Sequence, residues 1–300
     1  MADAITRVGL TAKRGLDAAS DVLAELAGWL DARNIRAVFE TETATLAGVP
    51  AGRPTVSREN LPKECDLLIV LGGDGTLIGM AGRIAAAGTD VPILGVNFGS
   101  LGFLTEITLP ELYDALEATL EGRATIESRA MLTARTIRDN TPFADHIVLN
   151  DIVITKGALS RIIEISVAVG DAPVTRVRAD GLIIASPTGS TAYNLAAGGP
   201  IVHPAVDAIL LTPIAPHTLT NRPVVIPASS EVHLRPIMEG NEVFVTFDGQ
   251  SGFPLKPGDL VSVRRAPRPL RIVKSAQRTY FDLLREKLKW GGDNRQNPTE

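Results

Sequence analysis

Residues 72 to 76, Gly-Gly-Asp-Gly-Thr, join two features that ordinarily oppose each other. Glycines let backbone N–H groups approach anionic oxygens, which suits phosphate. A carboxylate repels phosphate unless it has a hydroxyl to orient, a proton to accept or a metal ion to share. The apolar run Leu67 to Leu71 precedes the turn, and Leu77, Ile78, Met80 and Ala81 follow at helical spacing. That order predicts strand, tight turn and helix. A Walker loop needs a Lys after its last glycine, and none is present. The dinucleotide fingerprint fails as well, because Gly79 comes one residue late. Two readings stand at this point: an ordinary glycine-rich turn, or a phosphate-contacting loop with a catalytic carboxylate.

A second constellation spans Ala179 to Pro200. A strand runs into a turn dense in hydroxyls (Ser186, Thr188, Ser190, Thr191), and a short helix is expected over Tyr193 to Ala197. Hydroxyls and an amide at a strand end can read the edges of a base and a ribose; they also serve as plain turn and cap chemistry. Leu149-Asn150-Asp151 interrupts an apolar β run, which strand propensity explains poorly and a bulge or local turn explains well. His146, His203, His217 and His233 lack metal-ligand spacing. Cys65 is the only cysteine, so neither an intrachain disulfide nor a cysteine-based zinc site can form. No G-x-S-x-G is present, which removes the usual serine-hydrolase reading.

The elements that must position these groups change character midway. Up to about residue 125, short strands (RVGLTA, IRAVFE, PILGVN) alternate with helical patterns, one carrying Leu16, Val22, Leu23, Leu26 and Leu30, another opening with the capping box Thr108-Leu-Pro-Glu111 and stopping at Gly122. This β-α-β order implies a parallel sheet with helices on its faces. From about Arg129 the period becomes two, in β-branched segments separated by turn residues, which predicts an all-β, sandwich-like domain. The expected division is an α/β domain over 1–126, a β domain over 127–276, and a C-terminal segment, 277–300, returning to the first domain. In that segment a helix carries Phe281, Leu284 and Leu288 on one face. The cleft between the domains is the default ligand site. The basic run RRAPRPLRIVK, 264 to 274, reads as a solvated strand edge, and the tail GGDNRQNPTE as disordered.

The chain has 300 residues, 45% of them apolar, and a net charge of −4, which argues against a nucleic-acid partner. No signal-peptide core and no run of roughly 18 apolar residues is visible. A cytoplasmic protein without a membrane partner is expected.

With GGDGT, LND, ADGLIIASPTGSTAYNLAAGGPIVHP, LTPIAPHTLTNRPVV and FDGQ in this order, the sequence resembles the bacterial NAD kinases along nearly its whole length. GGDGT alone also occurs in phosphofructokinases and lipid kinases; the long stretch from Asp180 is the specific one. The resemblance implies phosphorylation of the adenosine-ribose 2′-OH of NAD by ATP with Mg²⁺, giving NADP, with Asp74 as general base. It implies NAD contacts from Asp74, Gly75, Phe103, Asn150, Asp151, Arg161, Arg178, Asp180, Thr191, Ala192, Tyr193, Asn194, Leu195, Ala196 and Gln250. Gly72, Gly73, Gly75 and Thr76 would meet the donor phosphates. No resident metal is implied, since Mg²⁺ enters with ATP, and a homodimer or homotetramer is suggested. Asp151 stands where many members carry Glu, and Asn194 where Ser is frequent. The alternatives are a related kinase acting on a sugar phosphate or lipid, and a non-enzymatic NAD(H)-binding sensor.

Overall fold

A computed structural model of the chain describes residues 4–49, 53–158, 160–218, 220–238, 240 and 242–290; the expected disordered tail, 291–300, lies outside them. The chain divides into two compact units, 1–127 with 271–300, and 128–270.

The first unit is α/β. Its strands β1 (Arg7–Ala12), β2 (Arg36–Glu40), β3 (Thr55–Val56), β4 (Leu67–Gly72), β5 (Ile93–Asn97), β6 (Ile107–Thr108) and β7 (Ile126–Arg129) alternate with α1 (Ser20–Asp31), α2 (Thr41–Leu46), α3 (Asp74–Ala87) and α4 (Leu112–Leu120). β1 to β5 lie in the order β3-β2-β1-β4-β5 with parallel pairing throughout. Every residue of β4 is buried, as the central strand of a sheet covered on both faces should be. In α1, Leu23, Leu26, Ala27 and Leu30 bury one stripe. Leu16, expected on that helix, precedes its first residue. α4 follows the expected capping box at Thr108, and Gly122 beyond it takes a φ of 71°. α2 gave no periodic signal because it is only six residues long; Glu40 caps it through the N–H groups of Glu42 and Thr43.

The second unit contains β8 (Leu132–Arg138), β9 (Thr141–Val148), β10 (Asp151–Lys156), β11 (Ile163–Val169), β12 (Ala172–Ala179), β13 (Gly181–Ala185), the short α5 (Tyr193–Ala196), β14 (Ala208–Ile214), β15 (Val224–Pro227), β16 (Val232–Ile237), β17 (Val243–Phe247), β18 (Ser251–Pro254) and β19 (Leu260–Arg265). They form two antiparallel sheets, β15-β14-β13-β10-β17-β18 and β12-β11-β16-β19-β8-β9. One apolar cluster draws Ile152, Ile154, Leu182 and Ile184 from the first sheet and Leu132, Ile163, Ile165 and Val261 from the second, which makes the unit a sandwich. The run HIVLNDIVITK divides between the sheets. β9 ends at Val148, β10 begins at Asp151, and the chain crosses over at Leu149-Asn150.

Three expectations need correction. The basic run is not a sheet edge. β19 lies between β16 and β8, and β20 (Leu270–Val273) pairs in parallel with β5 and lies between β5 and β7. The second unit therefore closes at Leu270, earlier than 276. Burial of Leu270, Ile272 and Val273 outweighs the basic flanks, whose charges meet local partners: Arg265 with Asp207 (2.7 Å), Arg271 with Asp90 (3.1 Å), and Lys274 with Glu106 and Glu127. In the C-terminal helix α6 (Tyr280–Leu288), Leu283 and Leu284 form the buried face, while Phe281 is 60% exposed. A capping box between Thr279 and Asp282 sets where the helix starts, and so which residues face inward.

Candidate active site

Strand order reverses between β1 and β4, and ligands of open α/β sheets gather beyond the carboxyl ends of the strands at such a point. Here β4 ends at Gly72, Gly73 is the N-cap of α3, and Asp74 is its first residue. A Cβ on Gly73 or Gly75 would meet nothing within 4 Å, so that side of the turn is open. Gly72 is enclosed instead: a Cβ there would stand 2.9 Å from Thr76 Oγ1 and 3.1 Å from Lys13 Cβ. Lys13 N–H donates to Leu71 O (2.8 Å), tying the segment after β1 to the end of β4. Lys13, Leu16, Gly72, Gly73, Asn97, Phe98, Gly99 and Ser100 line an open pocket of about 230 Å³. Sequence reasoning passed over Lys13, for a single Lys after a strand carries no signal.

The Asp74 carboxylate is held in place by the segment after β5. Oδ2 accepts from Phe103 N–H (2.8 Å); Oδ1 accepts from Leu104 N–H (3.1 Å), Thr105 N–H (3.0 Å) and Thr105 Oγ1 (2.9 Å). Asn97, buried, shapes the same segment by donating to Ser100 O and Thr105 Oγ1 and accepting from Gly99 N–H. Oδ1 is thus saturated and Oδ2 keeps acceptor capacity. Phe103, through its N–H, is part of the seat for Asp74, and its ring is half-buried.

In the second unit the turn between β9 and β10 is gripped by a residue the sequence reading missed. Asp248 accepts from three successive N–H groups, of Leu149 (2.8 Å), Asn150 (2.7 Å) and Asp151 (3.1 Å), and its own N–H donates to Asp151 O (2.9 Å). Asp248 and Gly249 have φ of 51° and 63°, the geometry of a tight hairpin turn closed by Gln250 N–H on Phe247 O. The Asp-Gly pair inside FDGQ was the available signal for a hairpin, though not for its grip on residues 149–151. Gln250 itself is exposed. Asp151 is 5% exposed; burial first, and then the Asp248 charge, push its carboxyl up to about 7. Burial raises Asp248 too, against the opposing pull of its three N–H donors. Asn150 is half-exposed beside them.

The hydroxyl-rich stretch divides into a buried half and an accessible half. Ser186 Oγ donates to Leu149 O and accepts from Gly189 N–H; Ser190 Oγ donates to Val202 O and accepts from Val202 N–H. Asn194 was expected among the NAD contacts. Its side chain is fully buried and is taken up internally: Nδ2 donates to Ser190 O (3.0 Å) and Pro200 O (3.1 Å), and Oδ1 accepts from Thr212 Oγ1 (2.6 Å). A Cβ at Gly189 would stand 2.2 Å from Asn150 O, which is why glycine packs against the Asn150 turn. Thr191, Ala192 and Leu195 are half-exposed and Tyr193 and Ala196 exposed. Asp180 pairs with Lys156 (3.0 Å), while Arg161 and Arg178 are exposed.

A glycine turn opening a helix at the reversal point of a parallel sheet is the layout of a nucleotide-phosphate-binding protein. The family follows from two matches in succession: the ATP-NAD kinase N-terminal domain fits residues 8–124 and the ATP-NAD kinase C-terminal domain fits residues 149–275. The chain belongs to the ATP-NAD kinase family and is an NAD kinase, which sets aside the sugar or lipid kinase and the non-enzymatic sensor. The NAD kinase of Geobacter sulfurreducens is 50% identical over 270 residues, 90% of this chain and 93% of that protein. The NAD kinase of Syntrophotalea carbinolica is 45% identical over 95% of this chain and 99% of its own length. Yeast NADH kinase, solved in complex with NADH, superposes with a TM-score of 0.87 at 26% identity, covering 98% of this chain and 91% of that one. An NAD kinase from Archaeoglobus fulgidus, solved with ATP, shares the fold with a TM-score of 0.75 at 22% identity, over 95% of this chain and all of that one.

Proposed function

We propose that the chain transfers the γ-phosphoryl group of ATP to the adenosine-ribose 2′-OH of NAD, with Asp74 orienting that hydroxyl and accepting its proton. The bond from the 2′-oxygen to phosphorus forms, the bond from the γ-phosphorus to its bridging oxygen breaks, and ADP leaves. The observation that carries this reading is the Asp74 carboxylate, locked at the start of α3 beside an open glycine turn. Phosphoryl transfer needs positioning and charge neutralisation more than covalent chemistry. Gly72, Gly73, Gly75 and Thr76 present the turn to the triphosphate, and Lys13, lining the adjoining pocket, supplies positive charge to it. Asp74 Oδ2, with capacity left, is the oxygen that takes the 2′-OH proton late in the transfer.

In this reading Asn150 and Asp151 hold the ribose hydroxyls. Thr191, Ala192, Tyr193, Leu195 and Ala196 line the adenosine, and Phe103 lies near the adenine. Arg161 and Arg178 offer charge to the dinucleotide phosphates, with Asp180 and Gln250 as further polar contacts. Asn194 supports this stretch from within.

Among the described residues no group of three His, Cys, Asp or Glu side chains is placed to hold a metal. In this reading Mg²⁺ would enter with the ATP phosphates, and Asp74 is the carboxylate that could share it. The ion, when bound, neutralises phosphate charge. Among the described residues no helix is long and apolar enough to cross a membrane. Edge strands β12 and β15 expose Val174, Val224 and Val225, which supports assembly as a homodimer or homotetramer.

The test is NADP formation from NAD, ATP and Mg²⁺ by the purified protein and by Asp74→Asn. The variant should lose roughly 10²-fold or more in kcat while NAD still binds. Retained kcat with a raised KM would make Asp74 a binding residue only.

A further inference from the structure

Asp248 lies on the hairpin between β17 and β18, yet its carboxylate is directed at a different part of the chain. Three consecutive backbone N–H groups, 97 to 99 residues earlier, converge on it. Successive N–H groups turned to one side form a concavity that takes an anion, and here the anion is a side chain of the protein itself. Without it, three donors at the crossing between two sheets would lose their acceptor. The crossing is the point at which Asn150 and Asp151 leave the backbone. Its other flank is equally determined: Ser186 N–H donates to Asn150 O (2.8 Å), and Gly189 packs against the same carbonyl.

We propose that Asp248 is a positioning residue for NAD: by accepting the N–H groups of 149, 150 and 151 it fixes the direction in which the Asn150 and Asp151 side chains meet the ribose. The proposal rests on the reading of Asn150 and Asp151 as NAD contacts. It has an electrostatic side. Asp151 pairs with Ala185 on β13, its neighbour Ile152 pairs with Phe247 on β17, and the Ser186–Gly189 turn closes the end; none of these residues carries charge. Asp248 is the charged group that acts on Asp151, and its negative charge adds to the effect of burial in favouring the protonated form.

Asp248→Asn keeps the size but turns an NH₂ group toward at least one of the three donors. Its KM for NAD should rise roughly 10-fold with kcat and the KM for ATP little changed, the pattern of lost uniform binding. The inflection in the pH profile of KM for NAD should also move to lower pH, because the neighbouring charge is gone. A purely structural role would lower the melting temperature without moving that inflection. Asp248→Glu, which keeps the charge but displaces it by a methylene, should raise KM for NAD and leave the inflection in place; it serves also if the Asn variant does not fold. Asp151→Asn is the control. If Asp151→Asn raises KM for NAD while both Asp248 variants keep the parental KM, the proposal is wrong and the ribose reading survives. If Asp151→Asn is itself silent, both fall together.

Discussion

Gly102 leaves the space that the Asp74 carboxylate fills: a Cβ at position 102 would stand 1.9 Å from Asp74 Oδ1 and 2.4 Å from Thr105 Oγ1. The two residues lie 28 positions apart, and each makes sense only in the presence of the other. Asp74 needs the N–H groups of 103 to 105 close at hand, and the chain can bring them close only where the preceding residue has no side chain.

Gly102→Ala should therefore disturb the proposed catalytic carboxylate without touching its chemistry. Relieving the overlap costs about 1–3 kcal/mol of stability, visible in denaturant unfolding. The carboxylate, moved from its seat, should lose at least about 10-fold in kcat, since small misplacements of a reacting group are expensive. Parental kcat in this variant would mean that the position of Asp74 is not critical.

Asp151 couples stability to pH. Its folded pKa of about 7 lies above its ordinary 3.8, so the folded protein holds this proton more tightly than the unfolded chain does. The contribution is complete below about pH 4 and is lost as pH rises through 7, by on the order of 4 kcal/mol at most. Asp151→Asn removes the dependence. The melting temperature of the variant relative to the parent should climb by roughly 3–6 °C between pH 5 and pH 8, measured by calorimetry. A constant difference across that range would show that the carboxyl is not shifted.

Neighbours Tyr193 and Asn194 should respond in opposite ways. Tyr193 is 45% exposed, so Tyr193→Ala should leave the melting temperature nearly unchanged and weaken NAD binding by about 1–3 kcal/mol, as lost base–aromatic stacking does. Asn194→Ala strips partners from the buried Ser190 carbonyl, the part-buried Pro200 carbonyl and the buried Thr212 hydroxyl, so it should cost about 1–3 kcal/mol of stability. Titrating NAD into each variant beside a thermal melt separates them. An Asn194→Ala protein that melts normally but fails to bind NAD would return its amide to the ligand.

Much of the site was legible because its signals are local. The buried run of β4, the glycines after it and the periodicity of α3 lie within some twenty consecutive residues, and local propensity and burial pattern suffice to place Asp74 at a helix start. The change of period near Arg129 told of two kinds of sheet for the same reason. Ser186, Ser190 and Asn194 show the limit: the same polar letters suit a ligand or the fold, and their partners come only with folding, Leu149 O for Ser186, Val202 O for Ser190, and Pro200 O and Thr212 for Asn194.

What tertiary structure alone decided involves groups far apart in the chain. Whether Arg264 to Lys274 lies at an edge or inside depends on which strands flank it, and those come from β5, β7, β8 and β16. The grip of Asp248 on residues 149 to 151 spans 97 to 99 positions, and the Gly102 opening exists only because α3 and the segment after β5 converge. Amino-acid types state what a residue is able to bond or tolerate; which of those possibilities is realised depends on the atoms that folding brings within about 3 Å of it.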